Sequence, residues 1–258
     1  MPRFSANISM MFTELPFDAR FRAAQKAGFG AVEFMFPYGY APEGLAKALE
    51  DNALGLSVFN LPPGDWGGFE RGLAAVRGRE AEFVQGLDMA ARYARVMGAA
   101  RVHCMAGIAE GREAEARYIG NVRRAADRLA RQGCTVMIEP INTSDMPGYF
   151  LNRTDEAVEL LHKIDHENVA LQWDVYHHER THGDALSALP EVLPHVAHIQ
   201  IASVPERHEP EGFGALFAAL DAAEYAGWVG CEYHPRGKTI EGLGWLREAR
   251  YAAGAPRA

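Results

Sequence analysis

Short apolar segments rich in branched and aromatic residues alternate with longer amphipathic segments along nearly the whole chain, and this alternation constrains the fold most. The pattern is typical of strands that are each followed by a helix. Eight strands are predicted, at residues 4–9, 31–36, 55–60, 101–105, 135–139, 169–174, 196–201 and 229–233.

Eight helices are predicted between and after these strands. In the first, Phe17, Phe21 and Ala24 share one face, and Gly28 follows where a left-handed residue usually ends a helix. The predicted helices cover residues 17–27, 42–51, 80–97, 113–131, 154–164, 184–189, 213–226 and 240–251.

Eight strand–helix units within 258 residues predict an α/β fold, a single (β/α)8 TIM barrel. The main alternative, a doubly wound sheet, normally shows a glycine fingerprint after its first strand, and that turn here reads SMMFTELPF. A linker rich in Pro, Gly or Ser is also absent between the halves of the sequence. We therefore expect residues 1–258 to form one domain.

Four consecutive predicted strands end in residues that can bind a hard cation: Glu139 in TVMIEP, Asp174 in VALQWD, Gln200 in VAHIQI and Glu232 in VGCEYHP. The intervals each match one strand–helix unit, so these side chains should meet at the C-terminal mouth of the barrel. Converging buried acids repel one another unless a positive charge compensates them. Their oxygen ligands favour a divalent metal, Mg²⁺ or Mn²⁺.

Several other residues are candidates for contact with a substrate. His177 follows Asp174 closely and is predicted to hydrogen bond a substrate oxygen. Arg207, in SVPERHEP, could grip a carboxylate at two points. His103 lies in the fourth strand and is interpreted as an interior histidine with its hydrogen bonds satisfied or as a pocket-wall residue, and not as a ligand. Residues 60–79 are long for a connection and are predicted to form an ordered lid.

One internal echo links the second and eighth strands. AGF leads into a strand that ends with Glu33, and AGW leads into one that ends with Glu232. The echo fits either a repeated barrel unit with an acid at the strand end or a common turn between helix and strand.

The charge and the cysteine content limit which partners and which cellular compartment are expected. The net charge of -8 and the lack of a Lys/Arg block argue against nucleic acid as a partner. The three cysteines lie in separate apolar segments, as reduced core thiols do. The N-terminus lacks a signal-peptide pattern and no segment reaches transmembrane length, so we expect a cytoplasmic protein without membrane contact. The sequence leaves open whether the protein forms a homo-oligomer.

Taken together, these segments resemble the hydroxypyruvate isomerase family within the xylose-isomerase-like barrels. The resemblance covers nearly the full length and follows the ordered motifs RFSANISMMF, GFGAVEFMFPY, NLPPGDW, ERG, GRE, IEPIN, DVYH, RHEP and GWVGCEYHP. After Arg207 the sequence departs from the family pattern: a GxGEINY-like run is usual there, and this chain reads EPEGFGALF. The resemblance therefore leaves the substrate open.

The resemblance implies that Glu139, Asp174, Gln200 and Glu232 bind a metal, and that Glu139 and Glu232 also exchange the substrate proton. His177 and Arg207 match substrate-contacting positions. The implied reaction turns hydroxypyruvate, a small hydroxy-carbonyl acid, into tartronate semialdehyde through an enediolate, without an organic cofactor.

Three alternatives remain. The same site could serve a 2-oxo-tetronate isomerase or a ketose 3-epimerase. A metal phosphodiesterase similar to endonuclease IV would need several zinc ions with many histidine ligands, and the four strand-end residues include no histidine. A barrel that only binds a sugar acid would not need both glutamates.

Overall fold

The structure, a computed structural model, describes residues 2–252. Eight parallel strands pair in sequence order, and the first also pairs with the last, so the barrel is closed. The predicted (β/α)8 barrel is confirmed. Its strands are β1 Arg3–Asn7, β2 Ala31–Phe34, β3 Gly55–Asn60, β4 Arg101–His103, β5 Thr135–Ile138, β6 Val169–Asp174, β7 Val196–Ile201 and β8 Trp228–Cys231.

Helices follow the strands, and the sixth unit has one more than predicted. The prediction at 184–189 corresponds to a helix at Ala185–Val192, and the sequence does not predict the short helix at Val175–Thr181 directly after β6. The prediction at 240–251 is a 3₁₀ turn, Thr239–Gly242, followed by a helix at Gly244–Ala252. The helices are α1 Phe17–Lys26, α2 Pro42–Asp51, α3 Glu80–Met97, α4 Gly111–Ala130, α5 Thr154–Ile164, α6 Val175–Thr181, α7 Ala185–Val192, α8 Gly214–Ala222 and α9 Gly244–Ala252.

The helices bury apolar faces. On α4, Tyr118, Val122, Ala125 and Leu129 are buried at spacings of three and four residues, which places them on one face. Burial of a side chain such as Leu129 contributes about 1.5–3 kcal/mol. At the end of α1, Gly28 has a φ of 89°, as predicted for the residue that lets the chain turn into β2.

The barrel carries an unusual share of buried polar side chains. Barrel interiors are usually filled by branched apolar residues, but in this chain hydrogen bonds join polar groups of several strands. These buried residues are Ser5, Asn7, Glu33, Ser57, Gln172, His198 and Gln200. The cysteines are buried thiols. Among residues 2–252, every helix is too short or too polar to cross a membrane.

Candidate active site

Four strands carry the predicted ligand residues to the C-terminal end of the barrel. Glu139 directly follows β5, Asp174 is the last residue of β6, Gln200 lies near the end of β7, and Glu232 directly follows β8. All four side chains are buried. Asp174 and Gln200 are paired neighbours in the β6–β7 register. The structure therefore brings the four residues into one region.

Arg207 places a positive charge between two of these carboxylates. Its Nη2 atom donates a hydrogen bond to Asp174 Oδ2 at 2.6 Å and lies 3.3 Å from Glu232 Oε2. Its Nε donates to the backbone oxygen of Glu232 at 3.0 Å. Burial opposes the charged form, but Asp174, Glu232 and Glu139 together raise the pKa of Arg207 above its usual value.

His177 faces the same carboxylates through one defined nitrogen. Its Nδ1 lies 2.7 Å from Asn142 Nδ2, and Asn142 Oδ1 accepts the backbone N–H of Asp145, which fixes the amide orientation. Asn142 Nδ2 therefore points a donor at Nδ1, and Nε2 lies 3.2 Å from Arg207 Nη1, which can also only donate. Burial lowers the pKa of His177 to about 4. Nε2 lies 3.6 Å from Asp174 Oδ2 and 3.9 Å from Glu139 Oε1, so this side of the ring faces the carboxylates as well as Arg207.

Burial and mutual repulsion favour the protonated forms of the two glutamates. Burial raises the pKa of Glu139 well above its usual value, and the charges of Glu232 and Asp174 raise it further. Burial also raises the pKa of Glu232 to about 8, although Arg207 opposes this rise. A carboxyl group whose pKa is raised toward neutrality, as that of Glu232 is, can both accept and donate a proton.

The donor set fits a divalent cation. Glu139, Asp174 and His177 each offer a ligand atom within 4.8 Å of the others. Within residues 2–252, this is the one place where three or more His, Cys, Asp or Glu side chains come so close. Buried carboxylates that repel one another are stabilised by a shared cation, and oxygen-rich sets favour hard metals. Gln200 and Glu232 lie beside this group, around a small cavity that Glu139 also lines.

A buried hydrogen-bond network supports these residues from the barrel interior. Gln172 Nε2 donates to Glu139 Oε2 and to Gln200 Oε1, each at 2.8 Å. Gln200 Nε2 donates in turn to Glu33 Oε1 at 2.8 Å. Glu33 also accepts hydrogen bonds from Asn7 and Ser57 and lies 2.8 Å from His198 Nε2. Both acids of the sequence echo, Glu33 and Glu232, therefore belong to the site region.

A cavity of about 150 Å³ opens above these residues. Glu139, His177, Arg207 and Glu232 line it, and His103 and Trp66 complete part of its wall. Trp66 belongs to the predicted lid; Arg71 packs over its ring at 4.0 Å, and Glu70 pairs with Arg79. The lid segment thus reaches the cavity through Trp66.

A separate groove of about 790 Å³ contains the run that departs from the family pattern. Residues 209–214 and Phe217 line it, together with residues that follow β8. In the described part of the chain, no residue of 209–217 lines the site cavity. The departure therefore changes the surface beside the site and leaves its described wall intact.

Sequence analysis did not identify three of the supporting residues. Gln172 precedes Asp174 in an apolar strand, and Asn142 lies in the loop after Glu139, so neither gives a distinct pattern. Glu33 was visible only as part of the echo. The spacing of two residues between Gln172 and Asp174, which puts both on one face of β6, is the signal that could have revealed Gln172.

Comparison with known proteins identifies relatives of the chain as a whole. The family model of xylose isomerase-like TIM barrels matches residues 21–249. The 2-oxo-tetronate isomerase of Cupriavidus necator is 48% identical over 96% of this chain and 98% of its own length. The hydroxypyruvate isomerase of Escherichia coli is 40% identical over 95% of this chain and 98% of its own. A crystal structure from Brucella melitensis, described as AP endonuclease, family 2, superposes with a TM-score of 0.93 at 47% identity, covering 96% of this chain and 99% of that one.

Proposed function

Since the chain belongs to the xylose isomerase-like TIM-barrel family, we propose that it isomerises a short hydroxy-carbonyl acid, with hydroxypyruvate as the first candidate. Similar proteins are named hydroxypyruvate isomerase and 2-oxo-tetronate isomerase, and the chain is accordingly an isomerase, an intramolecular oxidoreductase. One observation carries the proposal: Glu139 and Glu232, both buried, line one small cavity together with Arg207.

Glu139 and Glu232 exchange the substrate proton. One of them removes a proton from C3 of hydroxypyruvate, which leaves an enediolate, and a proton returns to C2 from a carboxyl group. A proton also moves from the C3 oxygen to the C2 oxygen, and the product is tartronate semialdehyde. Because no electrons leave the substrate, the reaction needs no organic cofactor.

His177 and Arg207 bind the substrate. His177 hydrogen bonds a substrate oxygen, and the guanidinium of Arg207 attracts the carboxylate. Glu139, Asp174, Gln200 and Glu232 are the proposed ligands of Mg²⁺ or Mn²⁺, a choice supported by their oxygen donors. When bound, such a cation stabilises negative charge that develops on the substrate oxygens.

The second candidate substrate is 2-oxo-tetronate, a four-carbon acid, because the relative with that name is 48% identical. A ketose 3-epimerase is less favoured, since a neutral sugar has no carboxylate for the guanidinium of Arg207 to attract. The Brucella melitensis relative is described as an endonuclease, but the ligand cluster in residues 2–252 has one histidine. A nuclease of that type needs many. A cytoplasmic location and the absence of nucleic-acid and membrane partners stay predictions.

Deuterium incorporation tests the proposal. The metal-loaded protein is incubated in heavy water with hydroxypyruvate, 2-oxo-tetronate, neutral ketoses and abasic DNA. We expect deuterium at the carbon that receives the proton in one of the two acids, observed by NMR. Turnover of neither acid, or cleavage of the DNA alone, would contradict the proposal.

A further inference from the structure

The site cavity has two unlike walls. The charged wall consists of Glu139, Asp145, His177, Arg207 and Glu232. The remaining lining residues are mainly apolar: Met10, Met35, Trp66, Met105, Ile141 and Met146, with the polar side chains Asn60 and His103 among them. A polar group among methionines needs a partner of its own.

His103 has unused hydrogen-bonding capacity that faces this cavity. Its side chain is 1% exposed, and among residues 2–252 neither ring nitrogen has a hydrogen-bond partner. Nδ1 lies 3.2 Å from Glu139 Oε2 but is not aligned for a hydrogen bond. A buried polar atom without a partner is destabilising. A ligand in the cavity can supply the partner.

Asn60 stands beside His103 on the neighbouring strand. The two residues are paired in the β3–β4 register, and both line the cavity. Asn60 Nδ2 donates to the sulfur of Met105 at 3.8 Å, and a thioether is a weak acceptor. A stronger acceptor, such as a hydroxyl oxygen, could replace it.

We propose that His103 and Asn60 form a subsite for the terminal hydroxyl group of a four-carbon substrate. The inference rests on the proposed function, which assigns the carboxylate and the reacting carbons to the charged wall. Hydroxypyruvate ends at its reacting C3 carbon, whereas 2-oxo-tetronate carries one more hydroxymethyl group there. That group extends toward the methionines, where His103 and Asn60 are the polar partners it meets. The subsite thus favours the four-carbon acid.

The test compares kcat/KM for 2-oxo-tetronate and hydroxypyruvate in the metal-loaded wild type and in His103→Phe, which keeps a ring but cannot make the hydrogen bond. We expect kcat/KM for the four-carbon acid to fall at least about tenfold more than for hydroxypyruvate, the loss typical of one buried hydrogen bond. Asn60→Leu should shift the ratio in the same direction, and it carries the test if His103→Phe does not fold. His162→Phe, the same change on the exposed side of α5, should leave both values unchanged.

The ratio of the kcat/KM values for the two acids tests the subsite separately from the proposed isomerase function. Wild-type protein that turns over neither acid refutes the proposed function. Active wild type that prefers hydroxypyruvate, or variants in which both acids lose the same factor, overturns the subsite and leaves the isomerase proposal standing. An equal loss would mean that His103 acts on Glu139.

Discussion

Gly230 of β8 lies so close to Glu33 of β2 that a Cβ atom at position 230 would overlap the Glu33 carboxylate. That carboxylate accepts the amide N–H of Gln200, and Gln200 connects through Gln172 to Glu139. The polar network beneath the proposed catalytic residues therefore requires glycine at position 230.

Gly230→Ala should weaken both fold and activity. The added methyl group must displace a buried, multiply hydrogen-bonded carboxylate, and overpacking of this kind typically costs about 1–3 kcal/mol in the free energy of unfolding. Turnover should fall as well, because Gln200 loses its position. Gly120→Ala is the matched control: position 120 is exposed in α4 with open space around its Cβ. Chemical denaturation and a turnover assay measure the two effects. Equal free energies of unfolding and equal turnover in Gly230→Ala and Gly120→Ala would contradict this prediction.

Glu139→Gln and Glu232→Gln should each reduce turnover by about two to four orders of magnitude, the usual contribution of a general acid or base. Neither change removes volume, so the circular dichroism spectrum and the thermal unfolding transition should remain those of a folded barrel. Glu113→Gln, an exposed change on α4, serves as the control. Near-normal turnover in a glutamine variant would remove that residue from its assigned role.

The metal-free protein should lose stability as pH rises. Burial raises the pKa of Glu232 from 4.5 to about 8 and moves that of Glu139 in the same direction. Between these values the folded state holds protons that the unfolded state has released, so the free energy of unfolding falls with increasing pH. Manganese should counteract the loss most at the upper end of the window, where both carboxyl groups can ionise.

Thermal unfolding in EDTA and in MnCl₂ across this pH range checks whether stability falls as pH rises. Glu232→Gln removes one of the two titrations and should flatten the decline in EDTA. A melting temperature in EDTA that rises steadily toward pH 8, with no added benefit from manganese there, would show that these carboxyl groups are not the controlling ones.

The sequence was sufficient where a residue sits at a fixed place in a repeated unit. Asp174 and Glu232 end or directly follow their strands, and parallel strands of a barrel present those positions at one mouth. The helix α6 was missed because its seven residues are too few for an apolar period. Its N-cap is Asp174 itself, which accepts the N–H of Tyr176 at 2.9 Å, so one residue serves the strand, the helix and the site.

Other features depend on contacts between distant segments, which a single sequence does not encode locally. Glu33 and His198 are 165 positions apart, and neither has a neighbouring pattern that predicts the other. The sequence predicts His103 as a satisfied interior histidine or a pocket-wall residue; the structure makes it part of the wall, and the prediction of satisfied hydrogen bonds is wrong. Its unpartnered ring nitrogens become visible only when every surrounding side chain is placed.

The central claim is that strand-end residues from one mouth of the barrel share a single cation. Anomalous diffraction at the manganese absorption edge, from crystals of active protein grown with Mn²⁺, tests it most directly. We predict one strong peak between the carboxylates of Glu139, Asp174 and Glu232, lost in Asp174→Asn crystals. Active crystals without a peak among these carboxylates, or with manganese bound only elsewhere, would contradict the account.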